Sequence, residues 1–278
     1  MSFIRKAARA LADSHTGQVL RRKLGVKPPL AVRPRSPEYS VSDLFPWRVD
    51  DIWDTRFDLT NVPSMIFPDR APTDRVTMVV FAADGRELIR KVFDLAPFEV
   101  QPVLLRDLIG QTGVTAGTFS VFHDPGAALA GVRAAGCNIA ERGYLCFKRR
   151  GDSLWGVVHG NLHALCKHPG SDEIGHVAGR LPERAAYRVQ VRFDDTDFFE
   201  LTFANASSKV QTVTLRLLDD ERREVGRQEH TIRPNGLALF AIDNHARTVA
   251  MVEALGAIAM WRPAIFKHYP THYNVLHS

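Results

Sequence analysis

One pattern constrains this chain more than any other, and it occurs twice. The first copy runs from Val76 through Phe81 to an acidic turn at Asp84 and Gly85, then from Lys91 to Leu95 and a proline at Pro97. The second runs from Thr212 through Leu218 to a turn at Asp220, then from Glu229 to Ile232 and Pro234. Each copy reads as an alternating strand, a polar turn, a second strand and a proline corner. The spacing from acidic turn to proline is 13 residues in the first copy and 14 in the second. A glycine-led strand follows each, at Gly117 and at Gly256, 20 and 22 residues after the proline. Self-similarity of this kind predicts an internal duplication of an antiparallel β module. The expected fold class is all-β: two tandem antiparallel β-sandwich modules, with a short basic helix at the N-terminus.

The 278 residues, 45% of them hydrophobic, suffice for two ordinary cores. No run approaches the ~18 apolar residues that span a bilayer, and the N-terminus lacks the apolar stretch of a secretory signal. Cys137, Cys146 and Cys166 make an odd number without CxxC spacing, which argues against a disulfide framework and for a reducing compartment. The expected location is the cytoplasm, with peripheral contact at the membrane.

Charge is unevenly spread. Residues 1–35 hold nine Lys or Arg and one acid, Asp13, a net +8 against +5 for the whole chain. The body is therefore slightly acidic. Phe3, Ile4, Ala7, Ala8 and Leu11 follow helical spacing, with Arg5, Lys6 and Arg9 on the other face and Arg21, Arg22 and Lys23 further on. A basic amphipathic arm over 1–26 suits an anionic membrane surface or an acidic partner, and equally a solvated tail. Nucleic acid is not expected, because no aromatics interleave with the basic residues. Four prolines between Pro28 and Pro37 make 27–39 an extended linker.

The first module is expected over 40–160, a connecting loop over 161–186, and the second module with a docked C-terminal tail over 187–278. Trp47, Trp53 and Phe57 are large aromatics that close a core, with a sugar-stacking surface as the alternative. Residues 143–158 read as a hairpin turned at Gly151 and Asp152. Residues 127–136 read as a short helix. Inward strand phase predicts burial of Val76, Met78, Val80, Val92, Leu95, Phe119, Val121, Val189, Val191, Phe193, Val213, Leu215, Leu217, Ile232, Leu239 and Ile258.

The strand ending at Asp84, Gly85, Arg86 and Glu87, the strand to Pro97, the segment Val103–Leu108 and the strand at Gly117 resemble the sensory-rhodopsin-transducer-like β-sandwich family. They cover about a quarter of the chain. Where that family carries a His-Thr-Arg-Leu run, this chain has His123, Asp124, Pro125 and Gly126. The resemblance implies a sandwich and a soluble binding or adaptor role.

The densest polar stretch is 159–176. His159 and His163 stand four apart, with Cys166, His168 and His176 nearby. Imidazole and thiolate are zinc ligands, so His159, His163, His168 and His176 are candidates for a metal site and a metal-dependent enzyme. The alternative is histidines bonded to backbone or to the tail. Glycine and proline make most of the stretch a loop. If the strand at Trp155–Val158 runs on, His159, Asn161 and His163 share one face. Trp155 for stacking, with His159, Asn161 and His163 for hydroxyl groups, forms a saccharide constellation in a cleft between modules. No nucleophile elbow, P-loop or dinucleotide fingerprint is present. The expected function is a non-enzymatic binding or adaptor protein with a saccharide-type ligand or a protein partner. A self-assembling structural protein or homo-oligomer is the further option.

Overall fold

The computed structural model describes residues 39–110, 112–124, 126, 139–141, 143–168, 170–177, 185–256 and 262–277. The basic arm, the linker up to residue 38, the expected helix at 127–136 and Ile258 lie outside the described residues.

The protein is all-β. The first half contains β1 (Ser40–Arg48), β2 (Trp53–Thr60), α1 (Val62–Ile66), β3 (Asp74–Ala82), β4 (Glu87–Leu95), β5 (Val100–Leu104), α2 (Leu105–Ile109) and β6 (Ala116–Asp124). It continues through β7 (Ala140–Glu141), β8 (Tyr144–Arg149), β9 (Gly156–Val158), β10 (Asn161–Lys167) and β11 (Ile174–His176). The second half contains β12 (Ala185–Arg188), β13 (Phe198–Ala204), β14 (Gln211–Leu218), β15 (Glu224–Ile232) and β16 (Leu237–Asp243). It ends with β17 (Met251–Gly256), β18 (Ala264–His268) and β19 (Tyr273–His277).

One sheet of the first module has the order β11-β10-β1-β6-β3-β4, with β7 parallel on β1; the other has the order β5-β2-β8-β9. The second module has β12-β17-β14-β15 and β16-β13-β18-β19. Strand for strand, β1-β6-β3-β4 corresponds to β12-β17-β14-β15, and β5-β2-β8-β9 to β16-β13-β18-β19. Both central hairpins carry a register shift near the turn, at Val80/Phe81 and at Leu217/Leu218. An extra residue there bends the strand and increases its twist.

Alternation builds each sandwich. In β2, Trp53, Thr55, Phe57 and Leu59 are buried while the residues between them are half-buried. Phe45, Trp47, Trp53, Phe57, Phe119 and Phe147 fill the first core. Phe193, Phe199, Phe203 and Phe240 dominate the second. The aromatics Trp47, Trp53 and Phe57 are thus core residues, each fully buried. A third cluster joins the modules: Leu44, Val79, Phe81, Phe122 and Leu165 of the first against Ala204, Ala206 and Leu237 of the second. The C-terminal tail is docked as β18 and β19, and Ala264, Phe266 and Val275 complete the first core.

Four expectations change. Residues 161–176 are not a connecting loop: β10 pairs with β1 and β11 with β10, extending the first module. Val92 is exposed, because Phe93 and Leu95 hold the inward phase of β4. Leu239 is half-buried, because Ala238, Phe240 and Ile242 face the core of β16. Val191 is half-buried, packed against the second core outside any strand.

The corners are held by asparagines. Asn61, fully buried after β2, donates from Nδ2 to the carbonyls of Pro72 (2.9 Å) and Ala96 (2.9 Å) and accepts at Oδ1 from Ser64 N (2.9 Å). Asn205, fully buried after β13, donates to the carbonyls of Lys209 (2.7 Å) and Ile232 (2.9 Å) and accepts from Ser207 N (3.0 Å). Each thereby satisfies backbone carbonyls that leave the ladders at a sheet corner. The second corner also forms the module junction. Leu237 N donates to Ala83 O at 3.0 Å, and a Cβ on Gly85 would stand 2.0 Å from Pro234 O. Only glycine fits that contact, at φ +84°.

Candidate functional site

Trp155 lies between β8 and β9, on the turn side of their hairpin. Arg56 Cζ stands 4.8 Å and Lys148 Nζ 4.9 Å from its ring centroid, so two cations hold the indole in place. Across from this hairpin runs β19, the last strand of the second module. Gly156 and Val275 meet here: a Cβ on Gly156 would lie 3.0 Å from Val275 Cβ. Tyr273 donates from its hydroxyl to Leu154 O at 2.7 Å. Between the two elements lies a groove of about 370 Å³, lined by Asp152, Ser153, Leu154, Trp155 and Gly156 on one side and Thr271–Val275 on the other.

Aromatic and polar residues share the lining of the groove. Tyr273 packs edge-on against Trp53, with centroids 4.9 Å apart, and burial pushes its phenol above the ordinary range. Arg149 Cζ lies 5.6 Å from the Tyr273 ring while its Nε holds Asp152 Oδ2 at 2.9 Å. His272 stacks on Tyr269 at 4.4 Å. The lining therefore contains one carboxylate, an imidazole, hydroxyls and the Asn274 amide beside two aromatic rings.

Of the other expected site residues, His159, His168 and His176 sit on different segments. The strand that follows Trp155 does not run on, for Val158 ends β9 opposite Leu145 and Asn161 begins β10 opposite Leu44 in the facing sheet. Gly160 makes the crossing possible, since a Cβ there would come within 2.6 Å of the Phe45 ring. His159 stays at the crossing, half-buried, with its ring 5.1 Å from that of His277. The side chains of Asn161 and His163 lie outside the described residues. Exposed His168 packs edge-on against Tyr39 at 5.4 Å. His176 meets Asn235 Oδ1 at 3.0 Å, and burial lowers its basicity. Among the described residues, no three His, Cys, Asp or Glu side chains gather as a metal site would require.

Two buried polar clusters were not anticipated. In the first core, His123 Nδ1 meets Asp74 Oδ2 at 2.5 Å and His123 Nε2 meets Glu141 Oε2 at 2.8 Å, all three side chains being inaccessible or nearly so. Burial opposes the imidazolium charge, but the two carboxylates more than offset it and raise the histidine to about 9. These residues are 49 and 18 positions apart, with no short motif linking them. Between the modules, Arg48 Nη1 meets Glu200 Oε2 at 2.9 Å, and His268 Nε2 meets the same oxygen at 2.8 Å. Burial works against ionisation of Glu200, yet the bonds from His268 and Arg48 hold it below the usual carboxylate range.

No family model matches the chain, and no curated protein matches it. Among solved structures it is similar to the crystal structure of a glycosyl hydrolase family 2 member from Bacteroides cellulosilyticus DSM 14838, at 9% identity and a TM-score of 0.14. The alignment covers 90% of this chain and 31% of that one, so the chain spans less than a third of that protein's length. A likeness at this level carries no argument about function. No helix among the described residues is long and apolar enough to cross a membrane.

Proposed function

We propose that the protein is a saccharide-binding protein and that the groove between the β8–β9 hairpin and β19 is its site. The observation that carries this reading is the pairing of Trp155 and Tyr273 with Asp152, Ser153, His272 and Asn274 in one cleft of about 370 Å³. That volume lies in the ordinary range for small-ligand sites, roughly 300–1,000 Å³. Aromatic faces pack on the apolar C–H faces of a sugar ring, and amide, carboxylate and hydroxyl groups pair with its hydroxyls. Asp152 is the single carboxylate among the described lining residues, and Arg149 holds it. Glycoside hydrolysis ordinarily uses two such groups. Binding is thus the chemistry the groove favours.

Glycan-array screening followed by calorimetry on the best ligand tests the proposal. Trp155→Ala should weaken that ligand about tenfold or more, as loss of an aromatic anchor does, with the melting temperature unchanged. Absence of any glycan ligand, or equal affinity in the variant, would sink it.

A further inference from the structure

The strand ends at Ser40, Thr60, Asp74, Leu95 and Val100 share one end of the first sandwich. Asp74 pairs with Leu95 and Thr60 with Val100, while Ser40 Oγ accepts from His123 N, whose side chain holds Asp74. Residues 1–38 join the body at this same end, through Tyr39.

Four apolar side chains face solvent here: Met65 (63% exposed), Ile66 (46%), Phe98 (55%) and Val100 (54%). They sit on two adjoining connections, α1 and the β4–β5 turn. Phe98 N donates to Ser64 Oγ at 2.9 Å, and Asn61 ties α1 to Ala96 O. The patch is therefore a built surface on one rigid corner. Of the nearby acids, Glu99 accepts from Ala96 N (2.7 Å), Asp94 and Asp124 stand opposite Arg75 in the sheet, and Asp69 precedes Arg70 in the chain.

Phe98 is out of place by conformation. It holds φ +62°, a region that bulky side chains rarely adopt. The corresponding turn of the second module, Arg233 to Leu237, puts Asn235 at φ +59°. Asparagine tolerates that region. The turn thus accepts a comfortable polar residue where it is covered, and the uncovered copy carries an exposed aromatic at a strained position instead. Such an outlier points to function.

We propose that this end of the first module is a lipid-contacting tip. Met65, Ile66, Phe98 and Val100 enter the interfacial layer of an anionic bilayer, and residues 1–35, with their net +8, supply the attraction. Neither part suffices alone: stable peripheral binding combines buried apolar area with basic charge. Charge complementarity, and departure of the arm from the end bearing the patch, single out a lipid surface as the occupant.

The test is co-sedimentation of the full-length chain with phosphatidylcholine vesicles, with and without phosphatidylglycerol. The wild type should bind the phosphatidylglycerol vesicles, and salt should weaken binding. Reversal of the arm through Arg5→Glu, Lys6→Glu and Arg9→Glu should weaken it as well. Phe98→Asn, and separately Met65→Ser with Ile66→Ser, should each lower the partition coefficient about tenfold or more without lowering the melting temperature. Three results overturn the proposal. The first is no binding by the wild type. The second is tip variants that bind as wild type does, leaving the arm acting alone. The third is tip variants that change the elution volume of the protein but not its vesicle binding, which would make the patch a protein contact.

Discussion

The two modules build the same corner with the same device and then use it differently. Each places a fully buried asparagine directly after its second strand and a proline turn after its fourth. In the second module the corner is covered. Asn205 N donates to Gly236 O, Asn235 N to Asn205 O, and Leu237 N reaches Ala83 of the first module. In the first module the equivalent corner is bare and presents Met65 and Phe98 to solvent. A shared strand order therefore fixes where a corner lies, and the residues at the turn decide whether it becomes a junction or a free surface.

The largest expected effect tests whether the modules act as one unit. Arg48 on β1 and Glu200 on β13 pair across them with both side chains about 95% buried. Arg48→Ala leaves Glu200 charged and uncompensated by that partner, at a cost of roughly 3–5 kcal/mol. Urea denaturation should show that loss and, because the pair spans the junction, a split into two transitions. A loss under about 1 kcal/mol with a single transition would show that the apolar cluster alone holds the modules together.

Next comes His123, which has no counterpart among the described polar residues of the second core. Its folded basicity is raised to about 9 from 6.5. Protons thus bind the folded state more tightly. The stabilisation is fully present below pH 6.5 and is lost as pH rises through about 9. Its full size is about 3 kcal/mol by linkage. Unfolding free energy measured from pH 6 to pH 10 should fall more steeply in the wild type than in His123→Gln. Parallel curves would show that the imidazole is not charged in the folded protein.

Smaller again are Asn61→Ala and Asn205→Ala. Each strands buried carbonyls, at about 1–3 kcal/mol. Asn205→Ala should cost more, because its corner also bears the junction. The reverse order, read by denaturant midpoint at constant slope, would break the claimed correspondence between the corners.

How much of this was legible depended on period. The central hairpins were, because Val76 and Met78, and likewise Val213, Leu215 and Leu217, alternate with polar residues and all are buried. Phase failed where apolar residues run together: Val92 beside Phe93, and Leu237 to Phe240 without a break. The 159–176 stretch reads as loop because Gly160 and Pro169 dominate its sequence, although Asn161–Lys167 forms a strand. Trp155 reads from the sequence as a candidate stacking residue, but Tyr273 and Asn274, which line the same groove, lie over 100 positions away, on a tail recognisable only as docked. The His123 cluster had no local signal at all, since its members meet only once β3, β6 and β7 are assembled.

The smallest expected effect has the opposite sign and returns to the two corners. Phe98 holds a backbone conformation that costs a bulky residue roughly 1–2 kcal/mol and costs asparagine less. Its side chain is 55% exposed, so little buried area is forfeited on removing it. Phe98→Asn, which copies the second module, should therefore raise stability by about 0.5–1 kcal/mol. Thermal melting of the variant against wild type is the measurement. A drop instead would mean that the Phe98 ring contributes to the first core and that the two corners are less alike than their hydrogen bonds imply. A rise, together with weakened vesicle binding, would mark Phe98 as a residue retained at the expense of stability for what it contacts outside the protein.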